Sequence, residues 1–195
     1  MYKQKKVSVV LPVYNEVKNI RHVIEAFLAH PFVDEVIAVD NNSSDGSTEE
    51  IKKTRARYFH EPIQGYGSAL RRGMREATGD LIVTVESDGT FAAKDIEKLL
   101  LYSEEFDAVY GTRTHYPFIL KGSDMSLFRR VGDWAVGKLL QYLYTGPTLT
   151  DVGCTYKVIH REAYEKIKNS LTVNGTYFSP EYMIRVIEHG LAATE

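Results

Sequence analysis

The chain has 195 residues, enough for one domain with a sizeable core, and its 44% hydrophobic and 26% charged content excludes a disordered segment. Its net charge of −2 excludes a nucleic-acid binder working through bulk positive charge. The one cysteine, Cys154, excludes an internal disulfide framework; it fits a reducing, cytoplasmic compartment and reads as a small buried hydrophobe.

The basic start Met1–Lys6 precedes an apolar run too short for a secretory leader. No stretch approaches the ~18–20 apolar residues of a membrane span. Val7–Leu11 is a β-branched run that predicts a buried strand, broken at Tyr14-Asn15-Glu16. Ile20, Val23, Ile24, Phe27 and Leu28 then follow helical spacing until Pro31. Glu35–Asp40 predicts a second strand, and the polar loop 41–47 follows, with Ser47 or Thr48 as cap of a helix near 49–54. Arg57–His60 is a weak third strand. Gly65-Tyr66-Gly67 opens a helix that runs to about Ala77 and is closed by Gly79. Leu81–Val85 predicts a fourth strand, 95–102 a helix, and Ala108–Tyr110 a fifth strand. The segment 118–144 is long, aromatic and in places basic. Cys154–Ile159 reads as a strand, 162–167 as a short helix, and 178–187 as a helix with Pro180 in its first turn.

Strand and helix alternate through the first half, which predicts an α/β fold with a mostly parallel sheet flanked by helices. Ligands in such sheets sit beyond the carboxyl ends of the strands. Glu16 follows the first strand, Asp40 ends the second, and Glu86 and Asp88 follow the fourth. Any one of these acids could be a turn or cap residue. Together they concentrate negative charge on one sheet edge, which a cation or polar ligand would answer. Glu86-Ser87-Asp88-Gly89-Thr90 offers two hard oxygen donors at i and i+2 with a glycine that allows the bend, suited to Mg²⁺ or Mn²⁺.

Val7–Glu16 (VSVVLPVYNE), Val39–Ser47 (VDNNSSDGS), Gly65–Gly73 (GYGSALRRG) and Glu86–Phe91 (ESDGTF), in that order and spacing, resemble the family 2 glycosyltransferases. Thr150–Lys157 (TDVGCTYK) with Arg161 is similar to a second block of the polyprenyl-phosphate, or dolichol-phosphate mannosyltransferase, type. The resemblance covers about Val7 to Gly190 and implies a GT-A fold, with a Rossmann-like sheet, in one domain over 1–195. Relatives usually continue past this point, so a domain shortened at its C-terminus is expected. The resemblance further implies an inverting transfer from a UDP- or GDP-linked sugar to an acceptor, with a lipid phosphate as the expected one. Pro12, Tyr14 and Glu16 would line the nucleoside pocket, with Asp40 at the base and Ser87 beside the nucleotide. Glu86 and Asp88 match the Asp-x-Asp metal motif, with Glu replacing the first Asp. Arg113 would lie near phosphate, and Asp151 would face the reacting centre, as the first choice of base if the acceptor is a hydroxyl.

Gly67, in Gly65-x-Gly67, could approach phosphate at a helix N-terminus or serve as a plain turn. Arg71 and Arg72 could face phosphate or solvent. Between Lys121 and Tyr144, apolar residues such as Trp134 and Leu139 alternate with Arg129, Arg130 and Lys138. That pattern suits a peripheral surface at the cytoplasmic face of a membrane, with Arg129 and Arg130 on acceptor phosphate. It equally suits a core-packing or dimer helix. A saccharide hydroxyl acceptor, a sugar nucleotidyltransferase and a non-catalytic nucleotide-sugar-binding domain are the competing readings. The six histidines lack paired spacing, so zinc is not expected.

Overall fold

Strands buried on both faces need continuous apolar runs, and those runs form the sheet. The computed structural model describes residues 1–113, 127–144 and 146–195, without the side chains of 127–130 and 133. Among these residues seven strands, β1 (Val7–Val13), β2 (Glu35–Asp40), β3 (Arg57–His60), β4 (Leu81–Thr84), β5 (Ala108–Tyr110), β6 (Lys157–His160) and β7 (Ala193–Thr194), form one sheet in the order β3-β2-β1-β4-β6-β5-β7. All pairings are parallel except those of β6, which runs antiparallel to both β4 and β5. The mostly parallel α/β expectation therefore holds. The strand expected at Cys154–Ile159 begins three residues later, at Lys157, and β7 is an addition.

Among the described residues seven α-helices cover the sheet: α1 (Ile20–Leu28), α2 (Ser47–Lys52), α3 (Tyr66–Glu76), α4 (Ile96–Tyr102), α5 (Leu127–Tyr144), α6 (Arg161–Ile167) and α7 (Phe178–Glu188). Alternation along β1 sends Val10 to the face covered by α3, α6 and α7. Val7, Val9, Leu11 and Val13 go to the face covered by α1, α2 and α4. The N-cap of α2 is Gly46, at φ +99°, and not Ser47 or Thr48. Ser47 lies inside the helix, where its hydroxyl serves the neighbouring loop.

Glu35 ties the lower edge together. It accepts from Ser8 Oγ at 2.6 Å, Thr78 N at 2.6 Å, Thr78 Oγ1 at 2.8 Å and Arg57 Nη1 at 2.7 Å. Burial opposes its charge, but these donors outweigh burial and hold the carboxyl down to about 2. A depressed carboxylate contributes stability above its unfolded value and loses it as pH falls through the folded one. That window runs from pH 4.5 down to about 2. Glu35→Gln is expected to cost about 2 kcal/mol at neutral pH, after a discount for solvent screening, and to flatten this acid limb. Urea unfolding of both proteins across that window checks it; parallel curves would refute the assignment.

Candidate active site

The loops after β1 and β2 are laced to each other. Asn15 and Asn42 both adopt positive φ, +57° and +69°, a conformation asparagine tolerates better than most residues. Asn15 N donates to Ser43 Oγ at 3.0 Å, and Ser44 N donates to Asn15 Oδ1 at 2.9 Å. Glu16 N donates to Ser47 Oγ at 2.7 Å, and Val17 N to Asp45 Oδ2 at 2.9 Å. Glu16 is half-buried and accepts from Asn19 Nδ2 at 3.0 Å. Asp40 is buried and accepts from Ser43 N at 3.2 Å. Tyr14 stands exposed at the rim.

Pro12 is a proline in a central strand, where a missing N–H normally costs a ladder bond. Its carbonyl accepts from Ser87 Oγ at 2.7 Å, just past the last β1–β4 pair, Val10 with Thr84. The Ser87 hydroxyl thus replaces a strand partner where the chain bends away from β4. The bend is completed by Gly89, at φ +82°. Thr90 N and Oγ1 both donate to Asp88 Oδ1, at 2.9 and 2.7 Å. Oδ2 of Asp88 makes no hydrogen bond among the described residues. Glu86 is half-buried, and its charge acts on Arg113, Lys157 and Tyr66.

Arg113 and Asp151, expected separately, form one pair. Asp151 is fully buried, and both of its oxygens are engaged. Arg113 Nε donates to Oδ2 at 3.0 Å and Nη2 to Oδ1 at 3.0 Å, while the Arg113 N–H donates to Oδ2 at 2.8 Å. Burial works against the guanidinium charge, yet Asp151 outweighs it and raises the Arg113 pKa. The guanidinium also lies 6.0 Å from the ring of Phe91, three residues beyond Asp88. That contact brings the loop after β5 to the loop after β4. Glu195 supports the other side, accepting from Thr150 N at 2.5 Å and Asp151 N at 3.2 Å.

Gly67 is explained by packing. A Cβ there would meet Val173 O at 2.3 Å and Phe178 Cβ at 2.8 Å, and one on Gly65 would meet Asn174 O at 2.2 Å. The two glycines let α3 close onto the segment before α7, an approach that needs no phosphate to account for it. Neither Arg71 nor Arg72 points at the carboxylate edge: Arg71 binds Leu171 O at 3.0 Å and also Asn174, while Arg72 pairs with Glu76 at 3.2 Å. Arg129 and Arg130 lie in the first turn of α5, but their side chains and residues 114–126, with Lys121, fall outside the described residues. Cys154 is buried, and burial pushes its thiol up to about 11.

Asn41 was not singled out by sequence reasoning. Its Nδ2 donates to Glu61 O at 2.8 Å and Ile63 O at 2.9 Å, and its Oδ1 accepts from Gly65 N at 2.7 Å. It thereby holds the approach to α3 against the end of β2. A buried asparagine directly after a strand, beside the stronger Asp40, was the available signal. Lys157 was read as part of a strand and as the end of the Thr150–Lys157 block, with no role of its own, and it is a buried cation.

Among the described residues, no three His, Cys, Asp or Glu side chains gather into a metal cluster. Glu86 and Asp88 alone would supply two hard oxygen donors, with the spare Oδ2 of Asp88 available. That is a donor set for a Mg²⁺ or Mn²⁺ ion completed by phosphate oxygens and water. The residues present fit such an ion.

Residues 8–168 match the family described as Glycosyl transferase family 2. The undecaprenyl-phosphate 4-deoxy-4-formamido-L-arabinose transferase of Yersinia enterocolitica is 32% identical, over 84% of this chain and 51% of its own length. Glycosyltransferase AglD of Haloferax volcanii is 29% identical, over 97% of this chain and 32% of its own length. The chain thus spans about half of the first relative and a third of the second. Among solved structures, glucosyl-3-phosphoglycerate synthase from Mycobacterium tuberculosis, in complex with Mn²⁺, UDP and phosphoglyceric acid, superposes with a TM-score of 0.75. The identity is 21%, over 98% of this chain and 68% of that one. Mannosyl-3-phosphoglycerate synthase from Rubrobacter xylanophilus gives a TM-score of 0.68 at 19% identity, over 83% of this chain and 55% of that one. The sheet order is accordingly that of the GT-A fold. With the acid-bearing loops gathered at its carboxyl edge and four-fifths of its length matched to one family, the chain belongs to glycosyltransferase family 2.

Proposed function

We propose that this domain transfers a sugar, with inversion, from a nucleoside-diphosphate donor to a polyprenyl phosphate. The observation that carries the reading is the gathering of Glu16, Asp40, Glu86 and Asp88 at the carboxyl ends of β1, β2 and β4. Pro12, Tyr14 and Glu16 would line the nucleoside, with Asp40 towards the base and Ser87 holding the loop at the diphosphate. Glu86 and Asp88 would hold a Mg²⁺ or Mn²⁺ ion, which when bound supplies Lewis-acid neutralisation of the leaving diphosphate. The direct test is calorimetric titration with UDP, GDP, CDP and dTDP, each with Mn²⁺ and with EDTA. Metal-dependent binding of one of them is expected. A folded chain that binds none would instead fit a non-catalytic domain.

The acceptor follows from proton accounting. A phosphate monoester has a second pKa of about 6, so it is already a dianion near neutral pH and needs positioning rather than a base. A saccharide hydroxyl would need a base within hydrogen-bond reach. Asp151, with both oxygens on Arg113, is poorly placed to take a proton and well placed to orient that guanidinium towards phosphate. The Yersinia relative's own name, with its undecaprenyl phosphate, supports the same acceptor class.

A lipid acceptor implies a surface that meets lipid. No helix among the described residues is long and apolar enough to cross a membrane. On α5, however, Val131, Trp134, Leu139, Tyr142 and Leu143 are exposed while Gly137 and Leu140 face the body. A helix this apolar on its outer side suits the plane of a membrane at its cytoplasmic face, or a second copy of the chain. The protein is expected to float with liposomes containing anionic lipid and to lose this with Trp134→Glu plus Leu139→Glu. Recovery only in the pellet, or unchanged flotation of the double variant, would rule out α5 as the contact.

A further inference from the structure

Lys157 is a lysine at the start of a central strand, 4% exposed, and nothing in the proposed chemistry uses it. It sits opposite Thr84 in the β4–β6 register, two residues before Glu86. Its Nζ donates to Ser179 Oγ in α7 at 2.7 Å and to the carbonyl of Cys154. The Cys154 carbonyl ends a turn whose other end is Asp151, since Cys154 N donates to Asp151 O at 3.3 Å. Burial pushes the ammonium down to about 8, partly offset by the charges of Asp151 and Glu86, so it stays largely cationic at neutral pH. The side chain borders a cavity of about 10 Å³ lined in part by Tyr66, Thr84, Thr155 and Tyr182. That volume admits nothing larger than about one water, so Lys157 works from behind the site and not on a substrate.

We propose that Lys157 is a positioning residue for the transfer step, its buried ammonium tying the Asp151–Cys154 turn, and with it the Asp151–Arg113 pair, to α7. The inference rests on the transferase reading given above. Burying an ammonium is costly unless it is hydrogen-bonded, and methionine or leucine would pack this position without that cost. What the lysine adds is a directed grip on the Cys154 end of a loop whose other end is held by Glu195 and Arg113. Losing it frees the turn and lets Arg113 drift, while the loop that carries Glu86 and Asp88 keeps its own supports, Ser87 on the Pro12 carbonyl and Thr90 on Asp88.

The test uses the full chain with Lys157→Met, Lys157→Arg and the milder Ser179→Ala, which keeps the charge and removes one anchor. The first readout is hydrogen exchange. In Lys157→Met the Arg113 amide and residues 150–156 should exchange about tenfold faster, with β1 and β2 unchanged. The second readout is turnover with undecaprenyl phosphate and the nucleotide sugar whose base the wild-type chain binds. A roughly tenfold lower kcat is expected with nucleotide affinity within about twofold, partly restored by arginine. Ser179→Ala should move both readouts the same way by less, and it carries the test should Lys157→Met not fold. Wild-type exchange and turnover in every variant would overturn the proposal. So would faster exchange throughout the sheet, or equal losses in kcat and affinity, because either would make Lys157 an ordinary core residue. If the wild-type chain binds no nucleotide, the transferase reading fails, and local exchange at Arg113 still decides whether Lys157 holds the turn.

Discussion

Asp88→Ala is expected to weaken metal-dependent nucleoside-diphosphate binding by about a hundredfold or more while leaving the fold intact. Loss of a residue that merely orients a metal ligand commonly costs 10–100-fold, and a ligand itself should lie at or above the top of that range. Stability should survive, because Asp88 is half-buried and its only hydrogen bonds among the described residues come from Thr90. The same geometry makes Thr90→Val informative. Valine keeps the shape and the backbone N–H but removes the 2.7 Å bond to Asp88 Oδ1, so about a tenfold loss is expected. In EDTA the three proteins should bind equally weakly. Titration of UDP or GDP with Mn²⁺ gives the answer directly. Wild-type affinity in Asp88→Ala, at unchanged melting temperature, would remove Asp88 from the metal site.

The logic that found Asp88 is the part of this fold most legible in sequence. An apolar run such as Val36–Val39 or Leu81–Val85 declares a buried strand, and alternation with helices declares parallel neighbours, so the acids after each run must share an edge. Periodicity carries no direction, however, and nothing in Lys157–His160 announces that β6 opposes its neighbours. Its start was misplaced because Cys154 and Tyr156 are as buried as strand residues without pairing as one. Gly67 was ambiguous for a different reason. A glycine beside a helix start looks the same whether phosphate or another segment approaches, and here Val173 and Phe178 fill the space. The burial of Lys157 and the pairing of Asp151 with Arg113 were opaque for a third reason. Charged residues are normally exposed, and burial of this pair of positions depends on partners 22 and 38 residues away in the chain.

Arg113→Met is expected to be the most destabilising single change at the site. It leaves the Asp151 carboxylate, 0% exposed, without the guanidinium that holds both of its oxygens. Breaking a buried pair from one side typically costs about 3–5 kcal/mol, because the surviving charge stays out of water. For a chain of this size that is a fall of about 10 °C in melting temperature. Asp151→Asn should cost less, since a neutral amide can still accept from the Arg113 N–H and Arg113 retains 27% exposure to water. Combining the two changes removes both charges, so the double variant should be more stable than Arg113→Met alone. This reversal is the signature of a buried pair and is read from a double-mutant cycle by thermal or urea unfolding. Simple additivity would mean that the two side chains act independently. Turnover supplies the second half of the argument. If Asp151 orients Arg113 towards an anionic acceptor, Asp151→Asn should lower kcat without adding a dependence on external base such as imidazole. Rescue by imidazole would instead restore Asp151 to the role of proton acceptor and point to a hydroxyl.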